Sequence, residues 1–266
     1  MKKLVSFFLK FGIYNNVHKL LGPRIFKLFK IFFVETNFKK LPILNHPLKI
    51  IYKEELKKYD LVKKTNLRPF LSYSHILDII KLSGHFKKRE IKFLDFGAGN
   101  LELFAYLSKN ISKFKYFYHD QNEYNLLIEK IKKDKNIKNL EVIRSFKNKS
   151  LNFDFVYFGG SLQYINDYKS SLNKIFKKTK FIIISQTPFY FNENIQNDII
   201  LKQLNLSYAL NYLYLINYQK FKKFLQKNKF NLISMTHNRV IKFINFKNLK
   251  KKYKNIDMYD LIFEKK

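Results

Sequence analysis

From residue 91 onward, short apolar runs alternate with segments of helical length, and this rhythm constrains the fold more than any other feature of the chain. The runs are 91–95 (IKFLD), 115–119 (KYFYH), 140–144 (LEVIR), 153–158 (FDFVYF) and 180–185 (KFIIIS). Between them the spacing predicts helices over 101–110, 122–133 and 167–177, long enough for the crossovers that parallel strands require. Right-handed crossovers then give a doubly wound α/β sheet. The rhythm changes near the end: a helix at 218–228, a strand at 230–236, a lysine-rich connection and a last strand at 258–265. That order predicts a terminal antiparallel strand pair added to the parallel sheet. The run 247–255 (KNLKKKYKN) reads as a solvated loop.

Residues 1–88 have a different character, and the chain divides into a basic helical segment or cap (1–88) and a main domain (89–266). The stretch LGPRIFKLFKIFFVE sets Lys27 and Lys30 among large apolar residues, and Pro42 and Pro47 break the next segment. Helical spacing is expected over 70–82, with Gly84 placed as a C-cap. The first 35 residues fit two roles: a basic amphipathic helix on an anionic membrane surface, or a cap whose aromatics pack on the main domain.

A formal charge of +32 would ordinarily point to a polyanion partner. Here only five of the 52 basic residues are Arg, and Lys, Asn, Ile and Phe are abundant, the bias AT-rich codons produce. A solvated lysine surface accounts for the charge without a nucleic-acid partner, which is the less favoured reading. With no Cys and six unclustered His, thiolate metal sites and disulfides are excluded, and no metal is expected. The N-terminus resembles a secretion signal, but Lys10 interrupts its apolar run and no cleavage site comes after it. No stretch reaches the roughly 18 apolar residues of a spanning helix. A cytoplasmic protein is expected, with residues 1–35 a candidate for peripheral contact with the inner face of the membrane.

The chemistry concentrates in IKFLDFGAGNLELF, 91–104. A buried strand there delivers Asp95 to the sheet's carboxyl edge, glycines let a ligand approach the backbone, and the next helix aims its N-terminal amides at the same crevice. A dinucleotide fingerprint needs a third glycine, and Glu102 stands in its place, where a carboxylate would repel a pyrophosphate. A phosphate loop of the G-K-[ST] type is absent. S-adenosylmethionine (SAM), with a sulfonium and an ammonium group, suits an acidic edge better. Asp120 lies 23 residues beyond Gly97, where a carboxylate can bond both ribose hydroxyls.

On these residues the chain resembles the class I SAM-dependent methyltransferases over roughly residues 70–266. FLDFGAGN is similar to their first motif, Asp120 to the acid after the second strand, and FDFVYFGGSLQYIND (153–167) to the fourth strand and its loop. The terminal helix, strand, loop, strand order is similar to their antiparallel hairpin. Leu101 departs from the pattern, which commonly has glycine there. More narrowly, GGSLQYI with ISQTPFYF (184–191) resembles bacterial methyltransferases associated with surface-polysaccharide synthesis.

The resemblance implies a Rossmann-like, seven-stranded sheet and SAM as cofactor. It implies cofactor contacts at Asp95, Gly97, Ala98 and Gly99, and further ones at Asp120, Gln121, Phe146 and Gly159. Gln163 and Tyr164 fall where an acceptor would approach, and Glu193 is a candidate base. Each has a plainer alternative: Asp95 as a turn cap, Phe146 as a core aromatic, Glu193 as a solvated loop acid. His119 reads as a packing residue, and His75 and His237 as structural. The expected acceptor is a small molecule or saccharide. The rivals are an RNA methyltransferase, disfavoured by GGSLQYI where base-methylating enzymes have N/D-P-P-Y/F, and a non-catalytic module tethered to membrane or partners.

Overall fold

A computed structural model of the chain describes residues 32–42, 52–64, 71–84, 90–146, 151–195, 197–204, 210–238, 246, 249, 252–253 and 255–266. Most of the segment read as a membrane-contacting helix, residues 1–31, lies outside the described residues. In chain order the strands are β1 (Phe32–Glu35), β2 (Ile91–Phe96), β3 (Phe114–His119), β4 (Leu140–Val142) and β5 (Phe153–Gly159). They continue with β6 (Thr179–Tyr190), β7 (Ile199–Leu204), β8 (Leu210–Asn217), β9 (Phe230–His237) and β10 (Asp257–Lys265). The helices are α1 (Tyr52–Lys64), α2 (Leu71–Leu82), α3 (Glu102–Asn110), α4 (Asn122–Asp134), α5 (Tyr168–Phe176) and α6 (Tyr218–Lys227).

Seven strands lie in the order β4-β3-β2-β5-β6-β10-β9. The first five run parallel, and β10 is antiparallel to both β6 and β9. The mixed α/β sheet and its terminal strand pair are as the sequence pattern predicts. Its central strands read as continuous apolar runs because helices cover both faces: Phe153 to Phe158 are all buried. On one face Ile76, Ile80, Phe104 and Ile128, of α2, α3 and α4, meet Phe93, Tyr116, Phe155 and Ile183. On the other, Leu172, Ile175, Phe221 and Leu225 of α5 and α6 meet Leu94, Val156, Ile182 and Phe263.

Among the described residues the sheet has ten strands, and the three beyond these seven depart from the sequence pattern. Residues 32–35, which the sequence pattern assigns to a helix, form the edge strand β1, antiparallel to β7, with Phe33 buried and Val34 exposed. The region before residue 88 thus enters the sheet as well as packing helices on it. β7 and β8 form an antiparallel pair where the sequence pattern predicts no strands. They attach because β6 runs on to Tyr190 and pairs in parallel with β8 at Phe189 and Ile216. Within β6, Gln186 takes φ 53, and the β6–β10 register shifts between Tyr259 and Leu261. That irregularity re-aims the strand so that its second half serves the extra strands.

Candidate active site

The carboxyl ends of β2, β3 and β5 meet at the glycine turn. Gly97 has φ 72, and its amide donates to the His119 carbonyl at 2.7 Å. A side chain there would set its Cβ 2.5 Å from Ser161 Cβ, so the turn and the loop after β5 touch only because residue 97 is glycine. Ser161 Oγ in turn donates to the Phe96 carbonyl at 2.6 Å. Gly99 also has positive φ (68), but the space around it is open. Its amide donates to Asp120 Oδ2 at 2.7 Å, while Tyr118 donates to its carbonyl at 3.2 Å. Leu101, where the resemblance has glycine, is 2% exposed and belongs to the apolar core that α3 covers. Asn100 Oδ1 accepts from the Glu102 amide at 2.9 Å and so satisfies the start of that helix.

Two carboxylates dominate this edge. Asp120 accepts from Gly99 and, at 2.6 Å, from the Gln121 amide, and Asn125 clamps its main chain from both sides. Burial nevertheless raises its pKa above the usual carboxylate value, outweighing those hydrogen bonds. Asp95 is 2% exposed. Tyr116 donates to its Oδ2, and its Oδ1 is buried with no hydrogen-bond partner among the described residues. Burial pushes the Asp95 carboxyl up to about 7; the Tyr116 hydrogen bond opposes the shift and the charge of Asp120 adds to it.

A third acid comes from a helix that sequence reasoning left out of the site. Glu55 on α1 is held by Lys58 at 2.6 Å through Oε1, and its Oε2 is buried and unpartnered among the described residues. Its charge reaches both Tyr118 and Tyr124, whose hydroxyls also feel Asp120. Nothing in the local sequence marks Glu55; only the packing of α1 on α3 brings it here.

The other predicted residues divide. Gly159 ends β5, with the Tyr157 ring so close that a Cβ would lie 2.5 Å from it. Phe146 stacks on Phe96 with centroids 5.6 Å apart and meets the edge of His119. His119 bonds the Ile143 carbonyl at 2.7 Å, consistent with a packing role, and burial lowers its pKa. Gln163 is buried and fully engaged: its amide nitrogen donates to the carbonyls of Gly160 and Gln186, and its oxygen accepts from Thr187. It braces the loop after β5 against β6, which leaves Tyr164, 41% exposed, as the residue of that pair open to solvent. Glu193 stands exposed in a turn beyond β6, and no described contact joins it to Asp95 or Asp120. Among the described residues no group of three or more His, Asp or Glu is placed to hold a metal ion, and no helix is long and apolar enough to cross a membrane.

No family model matches the chain, and no curated protein does. Solved structures do. A SAM-dependent methyltransferase from Clostridium acetobutylicum ATCC 824 superposes with a TM-score of 0.50 at 11% identity, over 80% of this chain and 98% of that one. The chain has the fold of the SAM-dependent methyltransferases. A Galdieria sulphuraria protein, provisionally assigned as a sarcosine dimethylglycine methyltransferase, shares this methyltransferase fold with a TM-score of 0.53 at 11% identity, over 73% and 84% of the two chains. The [4+2]-cyclase SpnF matches at 0.50 and 8% identity over 71% and 80%. A methyltransferase fold therefore does not dictate methyl transfer, and function has to be read from the site.

Proposed function

We propose that the chain is a SAM-dependent methyltransferase acting on a small-molecule acceptor. The observation that carries this reading is the unpartnered, buried Oδ1 of Asp95 beside Asp120, at a turn where only glycine fits. A buried carboxylate oxygen without a donor is costly unless a ligand supplies one. An ammonium-bearing, sulfonium-bearing ligand supplies it, whereas a pyrophosphate would add repulsion to the neighbouring Asp95 and Asp120. In this reading Asp120 bonds the ribose hydroxyls, the Gly97–Gly99 backbone lies under the methionine tail, Asp95 and Glu55 face its ammonium end, and Phe146 flanks the adenine. Bound SAM supplies an activated methyl group, whose carbon–sulfur electron pair leaves with sulfur. The protein's part is to align the acceptor and exclude water.

A saccharide acceptor, and a place in surface-polysaccharide synthesis, is the finer form of the proposal; it is supported only by the motif resemblance around 159–165 and 184–191. The basic surface favours an RNA acceptor as the second reading. Calorimetry with SAM and S-adenosylhomocysteine tests the core claim: saturable binding of both is expected. A folded protein that binds neither at millimolar ligand would sink both enzyme readings and leave the non-catalytic module.

A further inference from the structure

We propose that His75, on α2, is the general base of this site, and that the acceptor therefore presents a hydroxyl group that must lose its proton. The inference rests on the cofactor reading above and adds to it the atom that receives the proton.

The geometry runs from the glycine turn in short steps. Gly97 abuts Ser161; the neighbouring Gly160 amide donates to the Ser185 carbonyl at 2.9 Å; and Ser185 Oγ lies 3.4 Å from His75 Nε2. Ser185 is directly paired with Gly159 across the β5–β6 ladder, so His75 stands over the end of the strand whose loop faces the acceptor. These partners come from 110 residues apart, which is why the histidine looks isolated in the sequence.

The surroundings suit a base. His75 is half-buried, and burial lowers its pKa, keeping the ring neutral and able to accept a proton near neutral pH. Two carboxylates oppose that shift and would stabilise the imidazolium once formed: Asp260, on β10, and Asp78, on the same helix. Asp260 is itself fixed, accepting from the Gln186 amide and from Asn238, each at 2.9 Å. Ser185, fully buried, restrains the ring without competing for charge. The exposed Glu193 has no comparable surroundings.

The transfer balances simply. The acceptor O–H bond breaks as its oxygen bonds the methyl carbon, the proton goes to the unprotonated nitrogen of the His75 ring, and the carbon–sulfur pair stays on sulfur.

The test needs no acceptor. With 13C-labelled histidine, the pH midpoint of His75 is tracked by NMR in the presence of S-adenosylhomocysteine and then of SAM, which differ by one methyl group and one positive charge. The signal is assigned by its loss in His75→Gln; should that variant fail to fold, the selective shift of the signal in Ser185→Ala assigns it. If His75 faces the transferring methyl, the sulfonium charge lowers its midpoint by about 0.3 to 1 pH unit relative to S-adenosylhomocysteine, the size expected of a unit charge several ångströms away in a partly solvated site. Midpoints equal within about 0.1 unit while calorimetry shows both ligands bound would overturn the role of His75 and leave the cofactor reading intact. Absence of binding by either ligand would overturn both.

Discussion

The two edges of the central sheet are chemically opposite. At the carboxyl edge Asp95 and Asp120 lie beside each other among glycines and tyrosines, the charge of Glu55 reaches two of those tyrosines, and the carboxylate oxygens Asp95 Oδ1 and Glu55 Oε2 are buried without partners among the described residues. At the amino edge a cavity of about 370 Å³ is lined by Lys92, Lys177, Lys178, Lys180 and Lys265, with Asp154 among them. That hollow makes no comparable demand on a ligand. Its lysines keep contact with water, and two of them rest on main-chain carbonyls, Lys178 on Phe146 and Lys265 on Phe176. On a chain of net charge +32, lysine accumulates wherever solvent screens it, whereas buried acid persists only where something requires it. Unsatisfied burial marks the candidate site.

The largest effect should come from the turn itself. Gly97→Ala combines positive φ with a Cβ placed 2.5 Å from Ser161 Cβ, an atom that cannot move without its backbone. A stability loss of about 3 kcal/mol or more is expected from denaturant unfolding. Gly99→Ala meets open space and should cost only the φ strain, about 1 kcal/mol. Equal losses would mean that the contact between turn and loop is not tight. Next, Asp120→Ala should weaken SAM binding by about 1 to 3 kcal/mol in calorimetry, the range for losing charged hydrogen bonds. An unchanged dissociation constant would remove Asp120 from the cofactor site.

The carboxyl edge was largely legible in the sequence and the strands beyond it were not. β2, β3 and β5 announce themselves because each is a continuous apolar run whose burial on both faces is a local property. Asp95, Gly97 and Asp120 are then located by where those runs end. β1, β7 and β8 carry no such signature: their pairing depends on the extension of β6 past Gln186, which a local pattern cannot encode. The same limit hid Glu55 and His75, whose surroundings are supplied by α3 and β6. Gln163 shows the converse limit. Its position in the loop suggested an acceptor contact, and only the hydrogen bonds to Gly160, Gln186 and Thr187 reveal a brace.

Asp95 allows the contrast between edges to be read as pH dependence. Its carboxyl titrates at about 7 in the ligand-free protein, far above the unfolded value, so the folded state holds the proton more tightly. The stability it contributes is therefore present below the unfolded pKa of about 4 and is lost as pH rises toward 7. Asp95→Asn should abolish that slope and stabilise the ligand-free protein by about 2 kcal/mol at pH 8, measured by denaturant unfolding, because the buried charge is gone. A cationic ligand favours the carboxylate, so binding of SAM at pH 7 should release protons, about half a proton per site, and tighten between pH 6 and 8. Calorimetry in buffers of different ionisation enthalpy measures that release. Proton uptake, or a release that survives in Asp95→Asn, would show that the orphaned oxygen does not face the cofactor.

The smallest effect is expected at the amino edge, and its smallness is the point. Lys180 lies five residues before Ser185 on β6, roughly 16 Å along the strand. That exceeds the screening length of about 8 Å at physiological salt, so Lys180→Ala and Lys177→Ala should leave SAM affinity within about 0.3 kcal/mol of the parent protein. Lowering the salt lengthens that reach. If the lysines act on the site through the field of the whole surface, their removal should tighten binding of the cationic cofactor at low ionic strength and not at high. A change of several-fold at physiological salt would mean that the two edges are electrically coupled, and that the acids at the glycine turn are balanced by lysines on the far side of the sheet instead of by the ligand they face.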